Sequence, residues 1–264
     1  MISLAGILQR ERSVVAASLA GLVLVAWLYL WDGAGMGMSA LDMTTLSLFP
    51  HLQAEVPGSM PVGWPTVISM WWIMMIAMMT PSAAPLVLLY GLVLRRHAEN
   101  GKDVFGLTFM LLAGYLVSWL AFSVVAAAFQ QALQPAGLIS DMMLWSRSRI
   151  LSASVLALAG LYQFSPIKHA CLTQCRTPIR FLTTYWRPGH VGSFTLGLRH
   201  GAFCVGCCWM LMALLFVGGV MNLIWIAVLT ILVLIEKLSP AGARVGRISG
   251  GLLLCWAVAT LYVY

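Results

Sequence analysis

The 264-residue chain is 61% hydrophobic and carries 15 basic against 8 acidic side chains, so only 9% of it is charged. Soluble chains average about 25% charged residues, and at a mean hydropathy of +0.92 this chain lacks the polar surface needed to face water. Composition therefore excludes a soluble globular domain and leaves the lipid bilayer as the solvent, with length for about six to eight spans of ~20 residues.

Apolar runs predict membrane helices at 13–31, 65–94, 105–133, 150–166, 194–217, 220–236 and 247–264. The first follows Arg10 and Arg12. Its core from Val14 to Trp31 is about 18 residues, longer than the ~7–15 of a signal-peptide hydrophobic region, and reads as a retained anchor. The second run contains Pro81 and Pro85, which predict a kink or a broken helix. The sixth begins after a turn signalled by Gly218 and Gly219, with Asn222 satisfying that turn. It closes at Glu236 and Lys237, which read as an ion pair at the membrane edge.

Seven crossings put the two termini on opposite sides. With the N-terminus inside, 13 basic residues fall on that side, and only Arg147 and Arg149 fall on the other, the asymmetry of the positive-inside rule. The expected architecture is an all-α, polytopic transmembrane bundle forming a single domain over 1–264, N-terminus cytoplasmic and C-terminus periplasmic. The net charge of +7 is then topological, directed at lipid headgroups, and no nucleic-acid-binding motif accompanies it.

Sulfur is the chemical signal. Cys171, Cys175, Cys204, Cys207 and Cys208 lie on or near the side of the basic loops, where thiols stay reduced, so they point to metal or thiol chemistry rather than structural disulfides. In HGAFCVGCCWMLM, at 100° per residue, Cys204, Cys207 and Cys208 stand about 40°, −20° and 80° from His200 on one helix face. Met212 continues the row a turn deeper. Such soft donors suit Cu(I) best, with zinc and iron–sulfur clusters behind. The alternative is that these cysteines pack as small hydrophobes in a helix contact opened by Gly197 and Gly201. In KHACLTQCR, Cys171 and Cys175 stand at i, i+4 with His169 beside them, half of a four-coordinate site. Cys255, alone in the last run, reads as packing.

Methionine is the second anomaly, with 16 copies. Met70, Met74 and Met78 form an i, i+4, i+8 row that could line a thioether path, while Met75 and Met79 are expected to point elsewhere. Met36, Met38 and Met43, with Asp42 and His51, could sample copper in the outer loop. Gap-filling and docking on the bilayer are the plain alternatives for these methionines. No phosphate loop, nucleophile elbow, dinucleotide fingerprint or H-E-x-x-H motif is present.

Two passages, WWIMMIAMMTPSAAP at 71–85 and the half from YQFSPIKHACLTQCR at 162–176 through the Cys204–Cys208 helix to Leu238, carry a resemblance. The chain resembles a family of uncharacterised bacterial inner-membrane proteins described as metal-binding integral membrane proteins. The resemblance implies a multi-span protein of the bacterial inner membrane with metal affinity at Cys171, Cys175, Cys204, Cys207 and Cys208. Three functional readings stand: copper handling or delivery to a membrane enzyme, an accessory or assembly subunit of a larger membrane complex, and a membrane thiol oxidoreductase. Topology weighs against the last, because its thiols would sit on the reducing face.

Overall fold

A computed structural model describes residues 4–35, 39, 41–44, 63–96, 103–140 and 144–262. These residues form α1 Leu4–Trp31, α2 Trp64–Arg96, α3 Val104–Leu133, α4 Arg149–Gln163, α5 Pro166–Arg176, α6 Pro178–Tyr185, α7 Gly189–Ala213, α8 Leu215–Gly218, α9 Leu223–Leu238 and α10 Gly242–Tyr262. Apart from one isolated antiparallel bridge, Ile139 with Ser146, the described residues contain no β-structure. The all-α expectation holds.

Local chemistry sets the helix ends. The Asp103 carboxylate accepts from Gly106 N at 2.8 Å and starts α3, while Ser148 Oγ accepts from Leu151 N at 3.3 Å and starts α4. Each satisfies an orphan amide of a first turn. The α4–α5 break falls at Phe164–Ser165–Pro166: Pro166 cannot continue a helix but suits a first turn, and Ser165 caps Ile167 N at 3.1 Å. Across that break the chain bends by 63°. At the other end, Gly219 adopts φ +97, a conformation side chains resist, and Asn222 then caps Ile224 N at 3.1 Å to launch α9. Asn222 serves the turn, as expected.

Five stretches are long and apolar enough to cross a bilayer: Ser13–Trp31, Trp64–Arg95, Val104–Leu133, Gly189–Gly218 and Gly242–Tyr262. The bent α4–α5 pair makes a sixth if it is counted as one span. The run expected at 150–166 therefore ends at Gln163 and turns. The run expected at 220–236 becomes α9, whose 16 residues measure about 24 Å at 1.5 Å per residue, short of a ~30 Å hydrocarbon core. Despite Pro81 and Pro85, α2 is one continuous helix of 33 residues, so the broken-helix alternative is not realised.

Small residues set the closest contacts. A Cβ on Gly197 would collide with the Leu111 carbonyl, one on Gly114 with the Phe194 backbone, and one on Gly201 with Ser118, so α3 and α7 touch nearly backbone to backbone. Ser118 Oγ donates to Leu198 O at 2.8 Å across this seam. The G-x-x-x-G pair thus works on α3. A second crossing, α4 on α10, is set by Gly160 and Gly250, where a Cβ on either glycine would meet the other's carbonyl at 3.0–3.1 Å. Inside, Trp71, Met70, Met74, Met75, Met78 and Met79 of α2 are fully buried, and Trp71 Nε1 donates to Gln130 Oε1 at 2.8 Å. Leu24, Leu28, Phe129, Ile231 and Leu252 point outward, apolar on all sides as a lipid-facing bundle requires.

Candidate metal centre

The centre starts on α7, where Cys204, Cys207 and Cys208 are each 1% exposed. Thiols at i+3 and i+4 lie over the preceding turn, and both donate to the Cys204 carbonyl, Cys207 at 3.1 Å and Cys208 at 2.9 Å. That back-bonding fixes their rotamers and stacks three sulfurs along one face.

Two further sulfurs come from other helices. Because the chain bends before Pro166, α5 lies against α7 and brings Cys175 Sγ to 4.0 Å from Cys207 Sγ. From α2, Met79 Sδ lies 3.9 Å from Cys208 Sγ. Met79, one residue past Met78 and so off the Met70–Met74–Met78 row, is the α2 thioether that meets a thiol.

The polar surroundings were not anticipated. Lys237, 5% exposed near the C-terminus of α9, donates to Cys204 Sγ at 2.7 Å and to Ser82 Oγ at 3.2 Å. Tyr115 of α3 donates to Met79 O at 2.9 Å and stands 3.2 Å from Cys204 Sγ. Ser82 Oγ in turn donates to Met79 O at 2.8 Å. Glu236 does not pair with Lys237 as expected, because neighbours on a helix diverge by about 100°. Its carboxylate instead takes Lys168 Nζ at 2.6 Å and Gln163 Nε2 at 3.0 Å, and Lys168 also donates to Gln163 Oε1. Consecutive residues of α9 therefore serve two networks. Glu236 ties down α5, and Lys237 faces sulfur.

The remaining candidates lie at graded distances. His200 is 3% exposed, with its ring between Tyr115 at 5.8 Å and Phe181 at 5.1 Å, and its Nδ1 is a buried atom with no hydrogen-bond partner. Cys171 is half-buried beside Gly206, where an added Cβ would meet its Sγ at 2.9 Å, on the rim of the thiol group. Met212 and Met43 are buried in the same apolar core as the thiols. Met36, Met38 and His51 lie outside the described residues. Cys255 stands apart, exposed on α10 rather than packed.

Among the described residues, no three His, Cys, Asp or Glu side chains are set to enclose an ion. The arrangement offers sulfur pairs instead. Two thiolates bound at ~2.3 Å to one ion stand at most about 4.6 Å apart, so the 4.0 Å between Cys175 and Cys207 lies within the span of a shared ion. Such a thiol pair, with the Met79 thioether beside the neighbouring Cys208, suits a soft monovalent cation better than a hard divalent one.

Lys237, Tyr115, Ser82 and Met79 are the residues that sequence reasoning missed. The available signal was a lysine ending an apolar run, read in sequence as the partner of its neighbour. Comparison with curated proteins and with solved structures finds no match. The pattern defining the PpoB2 family, described as copper chaperone, matches residues 68–260, which includes every element from α3 to α9, nearly all of α2 and α10, and all the sulfur donors of the centre. The chain therefore belongs to the PpoB2 copper chaperone family.

Proposed function

We propose that this protein is a multi-pass carrier of the bacterial inner membrane that holds Cu(I) as cargo on the sulfurs of α7, α5 and α2 and delivers it to a membrane enzyme. The observation that carries this reading is that Cys175 of α5 and Met79 of α2 each bring a sulfur within 4.0 Å of a buried α7 thiol, the first at Cys207 and the second at Cys208. Packing as small hydrophobes would not require a lysine to be buried among them.

In this proposal 1–264 is one domain, with seven spans, the N-terminus inside and the C-terminus outside. Cys204 and Met79 each stand 15 residues into α7 and α2, about 22 Å from the helix start at 1.5 Å per residue. The short helices α4 and α9 end at this level. Lys168, Arg176 and Lys237 gather there, and Arg176 donates to Ser239 O at 2.8 Å and Pro240 O at 3.2 Å. Basic groups at the ends of short spans support an inner-surface position for the thiols, with the lower halves of α2, α3 and α7 extending beyond it. His200 and Cys171 would complete the coordination, and Met70, Met74, Met78 and Met212, buried above the thiols, would offer weak sites toward the outer loop with Met36 and Met38.

The test loads purified protein with Cu(I) under reducing conditions against a competing chelator. Changing Cys204, Cys207 and Cys208 together to Ser is expected to weaken binding by about a hundredfold or more. Binding unchanged in that variant would overturn the reading.

A further inference from the structure

Resting on the copper reading above, we infer that Lys237 is the residue that makes the centre select a monovalent soft cation over zinc. Four features carry the inference. The lysine is nearly fully buried, its Nζ is 2.7 Å from Cys204 Sγ, and Ser82 Oγ holds it from the other side at 3.2 Å. Neighbouring charges do not cancel it, because the Glu236 carboxylate is engaged by Lys168 at 2.6 Å. Taken together, Lys168, Glu236 and Lys237 leave one positive charge over, fixed beside the sulfurs.

A metal ion entering among Cys175, Cys204, Cys207 and Cys208 comes within a few ångströms of that ammonium. Coulomb repulsion is proportional to the charge of the incoming ion, so Zn(II) meets twice the repulsion of Cu(I) or Ag(I) in a site where screening is weak. Zinc also gains most from a closed set of four ligands, and Lys237 occupies one direction of approach to Cys204. Copper(I) and Ag(I) are satisfied by two or three sulfurs and lose less. Lys237 thus acts through charge on the ligand set and is not itself a ligand.

The experiment measures Zn(II) and Ag(I) dissociation constants by chelator competition on the full-length protein in detergent, for the wild type and for Lys237→Met, Lys237→Gln and Lys237→Arg. Silver serves as the redox-inert stand-in for Cu(I). The neutral variants are expected to shift the zinc-to-silver affinity ratio toward zinc by about tenfold or more, and Lys237→Arg, which keeps the charge, is expected to hold the wild-type ratio. A ratio that moves by less than about threefold in both neutral variants overturns the inference while leaving the copper reading intact. If neither neutral variant folds, Ser82→Ala, which removes the second hold on the Lys237 ammonium, decides: a ratio that moves toward zinc supports the inference, and an unchanged ratio overturns it. Silver binding that survives removal of Cys204, Cys207 and Cys208 sinks the underlying reading, and this inference with it.

Discussion

Glu236→Gln probes the joint that delivers Cys175. In the folded protein the Lys168 and Glu236 side chains are 3% and 2% exposed and 2.6 Å apart, with Gln163 bonded to both. Neutralising Glu236 leaves the Lys168 ammonium buried with only amide partners. Removing one member of a buried pair costs about 3–5 kcal/mol, because the survivor's desolvation is no longer offset. Replacing both members, as in Lys168→Met with Glu236→Gln, removes the stranded charge and is expected to recover more than about half of that loss. Stability would be followed by thermal unfolding of the detergent-solubilised protein. The local consequence is read from the yield of a Cys175–Cys207 cross-link, since α5 carries both Lys168 and Cys175 and should detach when its anchor is lost. The reasoning is refuted if Glu236→Gln costs under about 1 kcal/mol, or if the double variant is no more stable than the single one.

Three further outcomes are expected. Mild oxidation of the wild type should join Cys175 to Cys207, since their sulfurs, 4.0 Å apart, need only about 2 Å of approach to form a bond, and peptide mass mapping should find that link rather than one to the exposed Cys255. Gly197→Ala should destabilise by about 2 kcal/mol or more, because the added methyl meets the backbone carbonyl of Leu111 and backbone cannot turn aside, whereas Gly251→Ala, with nothing within 4 Å, should be neutral or stabilising by about 0.5–1 kcal/mol in the same melting assay. Met79→Leu keeps volume and should leave stability within about 1.5 kcal/mol of wild type, yet weaken Cu(I) binding by about three- to tenfold, while Met75→Leu changes neither.

The helices were legible because bilayer thickness and apolar length are one-dimensional quantities. Runs expected at 13–31, 65–94 and 105–133 fall within a residue or so of Ser13–Trp31, Trp64–Arg95 and Val104–Leu133, helical stretches long and apolar enough to cross a membrane. The run expected at 150–166 ends at the Ser165–Pro166 joint, but the helix beyond it is too polar to announce itself by apolar length, and only a serine cap followed by a first-turn proline marks two helices meeting at 63°. The stacking of Cys204, Cys207 and Cys208 on one face was readable, since helical periodicity fixes it without reference to any neighbour. Their partners were not. Met79 and Lys237 reach the thiols through the packing of α2 and α9 on α7, and no spacing within one helix encodes which side of another helix it meets. The Glu236–Lys237 dipeptide shows the limit best. Opposite charges side by side in sequence suggest a pair, but the helix turns them about 100° apart, so one anchors α5 through Lys168 and the other faces Cys204. Among the described residues the bundle buries two lysines and one glutamate, so one positive charge is left over, and Lys237 sets it against the Cys204 sulfur. The charge balance of α9 is therefore what ties the fold to the sulfur chemistry of the centre.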